Sequence, residues 1–236
     1  MARVDGRTPD QLRPVVLERG ANPYAEGSCL VRFGGTLVHC TASVEQGVPP
    51  FKKGSGLGWV TAEYAMLPRA TLERSGRERN GPGGRSQEIQ RLIGRSLRAA
   101  VGRWDFGEYT VKIDCDVLQA DGGTRTASIT GACVALVDAF QWLADRTKQP
   151  SPFGQLVAAV SVGLVGNAVM LDLAYTEDKD AEVDANIVMR APNDFVEVQG
   201  TGENGTFTRP QFDAILTSAE RGIASLFAAQ KKALGW

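Results

Sequence analysis

The stretch DGGTRTASITG, residues 121–131, decides how the chain folds. After Ser128, apolar residues recur at the spacing of one buried helical face, and they are Ile129, Cys133, Leu136, Val137 and Phe140. A helix is therefore predicted from near Thr126 to near Asp145. An alternating strand pattern, YTVKIDCDVL at 109–118, runs directly into the stretch. The sequence thus predicts a strand, a glycine turn and a long helix.

The turn ahead of this helix has the composition of an anion-binding site. Its two glycines let the backbone approach a ligand closely, and Thr124 and Arg125 supply a hydroxyl and a guanidinium beside the free N–H groups of the first helical turn. The alternative is a tight strand-to-helix turn in which Thr126 or Ser128 caps the helix. The turn alone leaves both interpretations open.

The composition is that of a globular protein with no overall attraction for polyanions. The 236 residues are 43% hydrophobic and 22% charged, enough for a sizeable core, and the formal net charge is −1. This near-neutral charge excludes a basic nucleic-acid coat protein. Any polyanion site must therefore come from local clustering of arginine.

We expect a cytoplasmic protein with no membrane partner. No apolar run approaches the length of a membrane-spanning helix, and the first ten residues are charged where a secretory signal would be apolar. The four cysteines lie singly without CxxC spacing, which favours buried reduced thiols over disulfides or a zinc site.

A polar linker with two prolines, TKQPSPFG at 147–154, separates two stretches in which hairpin, loop, strand and helix follow in the same order. The predicted fold class is α+β, with two similar halves, about 1–146 and 155–236, packed as one duplicated domain of mixed sheets and helices. The predicted elements are hairpins at 29–44 and 155–175, strands at 15–18, 59–66, 109–118, 186–190 and 195–200, and helices from Ser86, near Thr126 and from Pro210.

Arginine is concentrated between Arg69 and Arg98, where eight arginines and three glutamates occur without a lysine. Guanidinium groups bind phosphate oxygens in bidentate fashion, whereas a merely solvated surface would also contain lysine. Arg74, Arg77 and Arg79 lie in a loop too polar to pack, which favours contact with a polyanion.

A second glycine turn precedes a second helix, in GPGGRSQE, with Ser86 as its predicted N-cap. Arg85 in this turn repeats the arrangement of paired glycines, arginine and hydroxyl residue seen before the long helix. The two turns are predicted to converge on a single phosphate.

An acidic segment, TEDKDAEVD at 176–184, supplies the opposite charge. Carboxylates beside phosphate-binding arginines suit two tasks, which are holding a divalent cation and protonating a leaving oxygen. The alternative is a solvated acidic turn. Asp184 opens the apolar strand that contains NIVM, which argues against a purely solvated role for that residue.

Seven segments together resemble the ribonuclease PH family, namely RVDGRTPDQLRP, CTASVE, GWVTAEYAMLPRAT, GGRSQEIQRLIGRSLR, DCDVLQADGGTRTASITG, AYTEDKDAEVDANIVM and FVEVQGTGENGTFTR. The resemblance covers essentially the whole chain. It implies a phosphate-dependent 3′-to-5′ exoribonuclease that trims tRNA precursors and other RNA, releases nucleoside diphosphates, and runs in reverse as a nucleotidyltransferase. It also implies a hexameric ring built as a trimer of dimers.

The resemblance also implies site residues. Inorganic phosphate, the co-substrate, is expected at Arg85, Gly123, Thr124 and Arg125. Asp178 and Asp184 fall on the family's catalytic carboxylates, and they either coordinate Mg²⁺ or provide a general acid. Arg69, Arg74 and Arg77 fall in a basic loop near subunit contacts and the RNA path, and with Arg79 they are the predicted RNA-binding residues. The segment TGENGTF at 201–207 departs slightly from the family pattern and is expected to bear on nothing catalytic.

Two rival functions stay open. One is a catalytically silent RNA-binding ring subunit of exosome type, and the other is a hydrolytic nuclease. The presence of every predicted phosphate-binding and carboxylate residue favours the phosphorolytic enzyme over the silent subunit.

Overall fold

The computed structural model describes residues 3–236, and its elements follow the predicted order. The strands are β1 (Val15–Arg19), β2 (Gly27–Phe33), β3 (Thr36–Gln46), β4 (Trp59–Met66), β5 (Tyr109–Gln119), β6 (Val157–Val165), β7 (Ala168–Leu171), β8 (Val183–Arg190) and β9 (Asp194–Gly202). The helices are α1 (Gly84–Arg98), α2 (Thr124–Thr147), α3 (Tyr175–Asp178) and α4 (Arg209–Leu234).

Two sheets carry these strands. The first has five strands in the order β1-β2-β3-β5-β4, and the second has four in the order β7-β6-β8-β9. β4 and β5 are parallel, whereas the other neighbours in both sheets are antiparallel. A parallel pair needs a crossover connection, and α1 supplies it between β4 and β5. The predicted α+β class with mixed sheets is confirmed.

The long helix α2 lies between the sheets. It packs against β2, β3 and β5 of the first sheet and against β6 of the second. The approach is close, because a Cβ added to Gly27 in β2 would lie 2.0 Å from the Ala135 carbonyl oxygen. Leu136 and Phe140 on this helix are completely buried, and one continuous core includes residues from both halves of the chain.

Burial explains why α2 is apolar on nearly every side. No segment of this kind was expected from the sequence, yet α2 is long and apolar enough to span a membrane. However, 78% of its most apolar window is buried inside the protein. A helix that is apolar all round is typical of a buried position between layers. Its length and hydrophobicity are therefore those of a core helix.

The starts of α1 and α2 differ from the prediction, whereas α4 begins within one residue of the predicted Pro210. α2 begins at Thr124, and Gly123 is its N-cap. Thr126 and Ser128 do not cap the helix, because their hydroxyls donate to the carbonyl oxygens of earlier residues, Gly123 at 2.9 Å and Thr124 at 2.8 Å. α1 begins at Gly84, and Ser86 lies inside the helix, where its hydroxyl donates to Glu78 Oε1 at 3.0 Å. The N-cap residue of each of these two helices is thus a glycine, Gly83 in α1 and Gly123 in α2, rather than a serine or threonine.

The second half repeats the first only in part. Residues 176–178 of its acidic segment belong to the short helix α3, where a loop was expected. β8 and β9 are antiparallel neighbours without a crossover helix. β8 begins at Val183, so Asp184 lies within the strand. The single duplicated domain stays a prediction.

All four cysteines are free and buried, as predicted. Burial raises the pKa of Cys29 and of Cys133 to about 12. Both thiols are therefore protonated at neutral pH and unreactive.

Candidate active site

The glycine turn before α2 has a backbone that only glycine adopts without strain. Gly122 and Gly123 have φ angles of 76° and 64°, in the left-handed region. A Cβ on Gly122 would also lie 2.6 Å from the Leu173 carbonyl oxygen, so this turn packs directly against the segment that leads into α3. The first and second halves of the chain thus meet at the start of α2.

Thr124, the first residue of α2, faces a buried tyrosine. Its hydroxyl lies 2.9 Å from the hydroxyl of Tyr64 in β4. Burial raises the pKa of Tyr64, while its bond to Thr124 and the charges of Arg85 and Arg125 act in the opposite direction. Tyr64 was missed from the sequence, although its inward position in the alternating pattern of β4 was visible.

The two predicted phosphate-binding arginines lie near one carboxyl group. Arg125 is held by Glu88, to which its Nη1 donates at 3.2 Å, and by Gln199, at 3.4 Å. Arg85 is exposed in the first turn of α1. Both guanidinium groups favour the ionised form of Asp178, which places the starts of α1 and α2 within electrostatic range of α3.

The pKa values of Asp178 and Asp184 are both raised above the ordinary value for aspartate. Burial is the largest cause that raises the pKa of Asp184 to about 6, and the charge of Asp178 adds to it. The pKa of Asp178 is raised by burial and by Glu203, against the opposing charges of the arginines. Asp184 Oδ2 accepts a bond from Asn186 Nδ2 at 3.3 Å, whereas its buried Oδ1 has no hydrogen-bond partner within residues 3–236.

Glu203 was not predicted as part of the site. Its charge acts on both Asp178 and Asp184. The next residue, Asn204, ties this loop to the turn after α3 through bonds to the carbonyl oxygens of Glu182 and Ala181, at 3.3 and 3.1 Å. The segment 201–207 therefore carries a charge that acts on both carboxyl groups, while its expected lack of a catalytic role stays a prediction.

The predicted RNA-binding arginines lie on a surface segment. All four are exposed on the segment that connects β4 to α1, and they are Arg69, Arg74, Arg77 and Arg79. None is among the charges that act most strongly on Asp178 or Asp184. The segment is anchored to the first turn of α1 through the bond between Glu78 and Ser86.

Comparison with known proteins decides the family. Models of the 3′ exoribonuclease family match residues 11–140 with domain 1 and residues 155–222 with domain 2. The chain belongs to this family. A curated relative, ribonuclease PH of Corynebacterium glutamicum (strain R), is 60% identical over 237 residues, covering 99% of this chain and 97% of the relative. The predicted family is confirmed.

Solved structures share the exoribonuclease fold. Rice Rrp46 matches with a TM-score of 0.78 at 20% identity, covering 98% of each chain. An Archaeoglobus fulgidus exosome with RNA bound to the active site matches with a TM-score of 0.77 at 24% identity, covering 94% of this chain and 90% of that one. At these identities the likeness shows the fold alone.

The carboxylates of this exoribonuclease-family chain fit a magnesium ion that keeps most of its water. Within residues 3–236, no group of three or more metal-binding side chains is close enough to enclose a metal. Mg²⁺ is commonly bound through only one or two carboxylates, with water and substrate phosphate as the other ligands. The unpartnered Oδ1 of Asp184, with Asp178 close by, suits this mode of binding.

A groove of about 280 Å³ lies between α1 and β9, beside the residues that hold Arg125. Glu88 and Gln199, which hold Arg125, both line it, and it continues past Gln87 and Arg91. Its amide, carboxylate and guanidinium groups offer hydrogen bonds to a polar ligand.

Proposed function

We propose that the chain is a phosphate-dependent 3′-to-5′ exoribonuclease that trims tRNA precursors and other RNA and releases nucleoside 5′-diphosphates. The reaction also runs in reverse, as a nucleotidyltransferase. Beyond the family itself, one observation carries the proposal. Arg85 and Arg125, in the first turns of α1 and α2, both favour the ionised form of the half-buried Asp178 on α3, and Arg125 also favours that of Asp184 on β8.

Charge repulsion is the first obstacle, because inorganic phosphate must attack an anionic phosphodiester. We assign phosphate binding to Arg85, Gly123, Thr124 and Arg125, whose guanidinium, hydroxyl and backbone N–H groups offset the charge of the attacking anion. Holding phosphate in line with the phosphodiester also replaces a bimolecular encounter. In well-oriented reactions this lowers the activation barrier by about 7 kcal/mol or more. The hydrogen bonds of Arg125 to Glu88 and Gln199 support a preorganised site.

The leaving group is the 3′ oxygen of the preceding nucleotide. A phosphate oxygen forms a bond to the terminal phosphorus, the bond to the 3′ oxygen breaks, and that oxygen needs a proton or a cation. Asp184, whose pKa is raised to about 6, stays partly protonated up to mildly acidic pH and is one candidate donor. Alternatively, Asp178 and Asp184 hold Mg²⁺, which would supply positive charge to the phosphoryl oxygens.

The RNA itself is assigned to the exposed arginines of the β4–α1 segment. Arg69, Arg74, Arg77 and Arg79 offer a row of guanidinium groups to the phosphate backbone. We also propose one duplicated domain per chain, a cytoplasmic location in keeping with the reduced cysteines, and a hexameric ring built as a trimer of dimers. Structural neighbours at 23–24% identity belong to archaeal exosomes, which are assemblies of several chains.

A catalytically silent ring subunit of exosome type is the alternative. The likeness to exosome subunits rests on identities of 20–24%, whereas the 60% identical relative is a ribonuclease PH. The chain also keeps both arginines and both carboxylates, which a silent subunit does not need. These observations favour the enzyme.

One experiment separates the functions. A tRNA with extra labelled 3′ nucleotides is incubated with the protein, with and without inorganic phosphate, and the released nucleotides are resolved. Phosphorolysis gives diphosphates only when phosphate is present, hydrolysis gives monophosphates in both, and a silent subunit gives neither. Monophosphates that do not depend on phosphate would refute the proposal.

A further inference from the structure

Arg13 is a buried arginine that is not among the predicted site residues. It is 4% exposed and lies just before β1, at the end of an N-terminal segment that carries two other arginines, Arg3 and Arg7. Isolated buried guanidinium groups are unfavourable unless they are fully paired. The partners of Arg13 therefore show what this residue is for.

The first set of partners belongs to the turn before α2. Arg13 Nη1 donates to the Asp121 carbonyl oxygen, and Nη2 donates to the Gly122 carbonyl oxygen at 3.4 Å. The hydroxyl of Thr36 donates to the same Gly122 oxygen at 2.6 Å. The backbone directly ahead of Gly123 is thus fixed from two sides.

The second set of partners belongs to the segment that leads into α3. Arg13 Nε and its backbone N–H both donate to Asp172 Oδ2, at 3.0 and 2.8 Å, and Nη2 donates to Oδ1 at 2.7 Å. Asp172 is completely buried, has a φ of 54°, and precedes α3 by three residues. A left-handed backbone at a residue other than glycine persists only where its surroundings fix it.

The two segments also touch each other. Asp121 Oδ1 accepts a bond from the Tyr175 N–H at 3.3 Å, and Gly122 packs against the Leu173 carbonyl. Arg13 thus joins the turn that begins α2 to the segment that ends in Asp178. One guanidinium spans the boundary between the two halves of the candidate site.

We propose that Arg13 is a positioning residue that sets the spacing between the phosphate-binding turn and the carboxylate-bearing helix. This inference rests on the proposed function of the site. Arg13 acts through Gly122 and Asp172 and does not itself contact phosphate or RNA. Its charge also favours the ionised form of Asp178.

The consequence is a specific kinetic defect. Misplacement of reacting groups by about 1 Å costs on the order of 100-fold in rate. Lysine keeps the charge of Arg13 but lacks the fork that bonds Asp172 and the turn at the same time. In Arg13→Lys we therefore expect kcat to fall about 10- to 100-fold and half-saturation by phosphate to rise about 10-fold, with KM for RNA changed less than about twofold.

Arg19 provides a matched control. It also ties three segments, with bonds to both Asp138 oxygens and to the Ala233 and Leu234 carbonyl oxygens, but it lies away from the glycine turns. Arg19→Lys is expected to lower the melting temperature without altering phosphate half-saturation. If Arg13→Lys does not fold, Asp172→Asn weakens the same pairing while keeping the side-chain volume.

The test combines kinetics with a binding measurement that does not need turnover. The melting temperature of each protein is recorded with and without inorganic phosphate alone, since a bound ligand stabilises the folded state. We expect the phosphate-induced rise in wild type to be at least halved in Arg13→Lys and to be kept in Arg19→Lys. A folded Arg13→Lys with unchanged kcat, phosphate half-saturation and phosphate-induced rise would overturn the positioning role. Failure of the proposed function is seen separately, as wild-type protein that releases no diphosphates.

Discussion

Replacing Asp184 by asparagine is expected to make the protein more stable while it abolishes activity. The folded-state pKa of Asp184 is about 6 against an ordinary value of 3.8, and burial is the main cause. Above pH 6 the buried carboxylate therefore destabilises the folded state by at most about 3 kcal/mol, at about 1.4 kcal/mol for each unit of pKa. Asparagine resembles the protonated form and avoids this cost.

The sign of the pH dependence follows from the same values. Because the folded pKa lies above the unfolded one, the wild-type protein loses stability at this residue as the pH rises from about 4 to about 6. The gain of Asp184→Asn is therefore largest above pH 6 and falls to about half at pH 5. An amide without a full set of partners offsets part of this gain in unfolding free energy, so we expect a net gain of about 1–2 kcal/mol at pH 7.5.

The assay is urea unfolding of wild type and variant at equal protein concentration, at pH 7.5 and pH 5. Asp180→Asn is the matched control, because Asp180 is an exposed aspartate in the turn after α3 and its replacement is expected to change neither stability nor turnover. Phosphate-dependent turnover of Asp184→Asn is expected to fall at least about 100-fold. An Asp184→Asn protein that is no more stable than wild type at pH 7.5, or equally stabilised at both pH values, would refute the electrostatic reasoning.

Three further variants test the other parts of the site. Arg125→Ala is expected to raise half-saturation by phosphate at least about 10-fold with RNA affinity unchanged, which titration with phosphate and RNA would measure; an unaltered phosphate requirement would contradict the assignment. Tyr64→Phe removes the hydrogen bond to Thr124 and is expected to cost about 1 kcal/mol of stability and to weaken phosphate binding. Thermal unfolding with and without phosphate measures both effects, and unfolding curves identical to those of the wild type would rule them out. Arg74→Ala combined with Arg77→Ala is expected to weaken tRNA binding and to make the slope of log affinity against log salt shallower by about 2, and a slope that stays the same would exclude RNA contact there.

Periodicity in the sequence predicted most of the elements, because each buries a regular face. The strand pattern at 59–66 is β4 without any shift, and the apolar residues Ile89, Leu92 and Leu97 are the buried face of α1. Helix starts were predicted less well. Hydroxyl residues in a first turn read as caps, but at α2 the backbone of Gly123 takes that position and Thr126 bonds backwards.

The composition of the site was readable from the sequence, but its spatial arrangement was not. The proposed phosphate-binding and carboxylate residues were named through motifs. Tyr64 and Arg13 enter only through contacts, and Glu203 only through its charge, between segments far apart in the chain. Nothing local marks them. Tyr64 resembles any inward strand residue, and Arg13 resembles a solvated arginine in a polar segment until Asp172 is brought against it.

The position of the site follows from the role of α2 in the core. This helix is fixed by both sheets, so its first turn, with Thr124 and Arg125, has little freedom to move. The carboxylates come from the second half and are joined to that turn through the Arg13–Asp172 pair. Preorganised donors stabilise a developing charge because they do not have to reorient during the reaction. In the proposed reaction, a chain with a net charge of −1 would handle two anions at one place, because the rigid burial of α2 holds Arg125 where the charge develops.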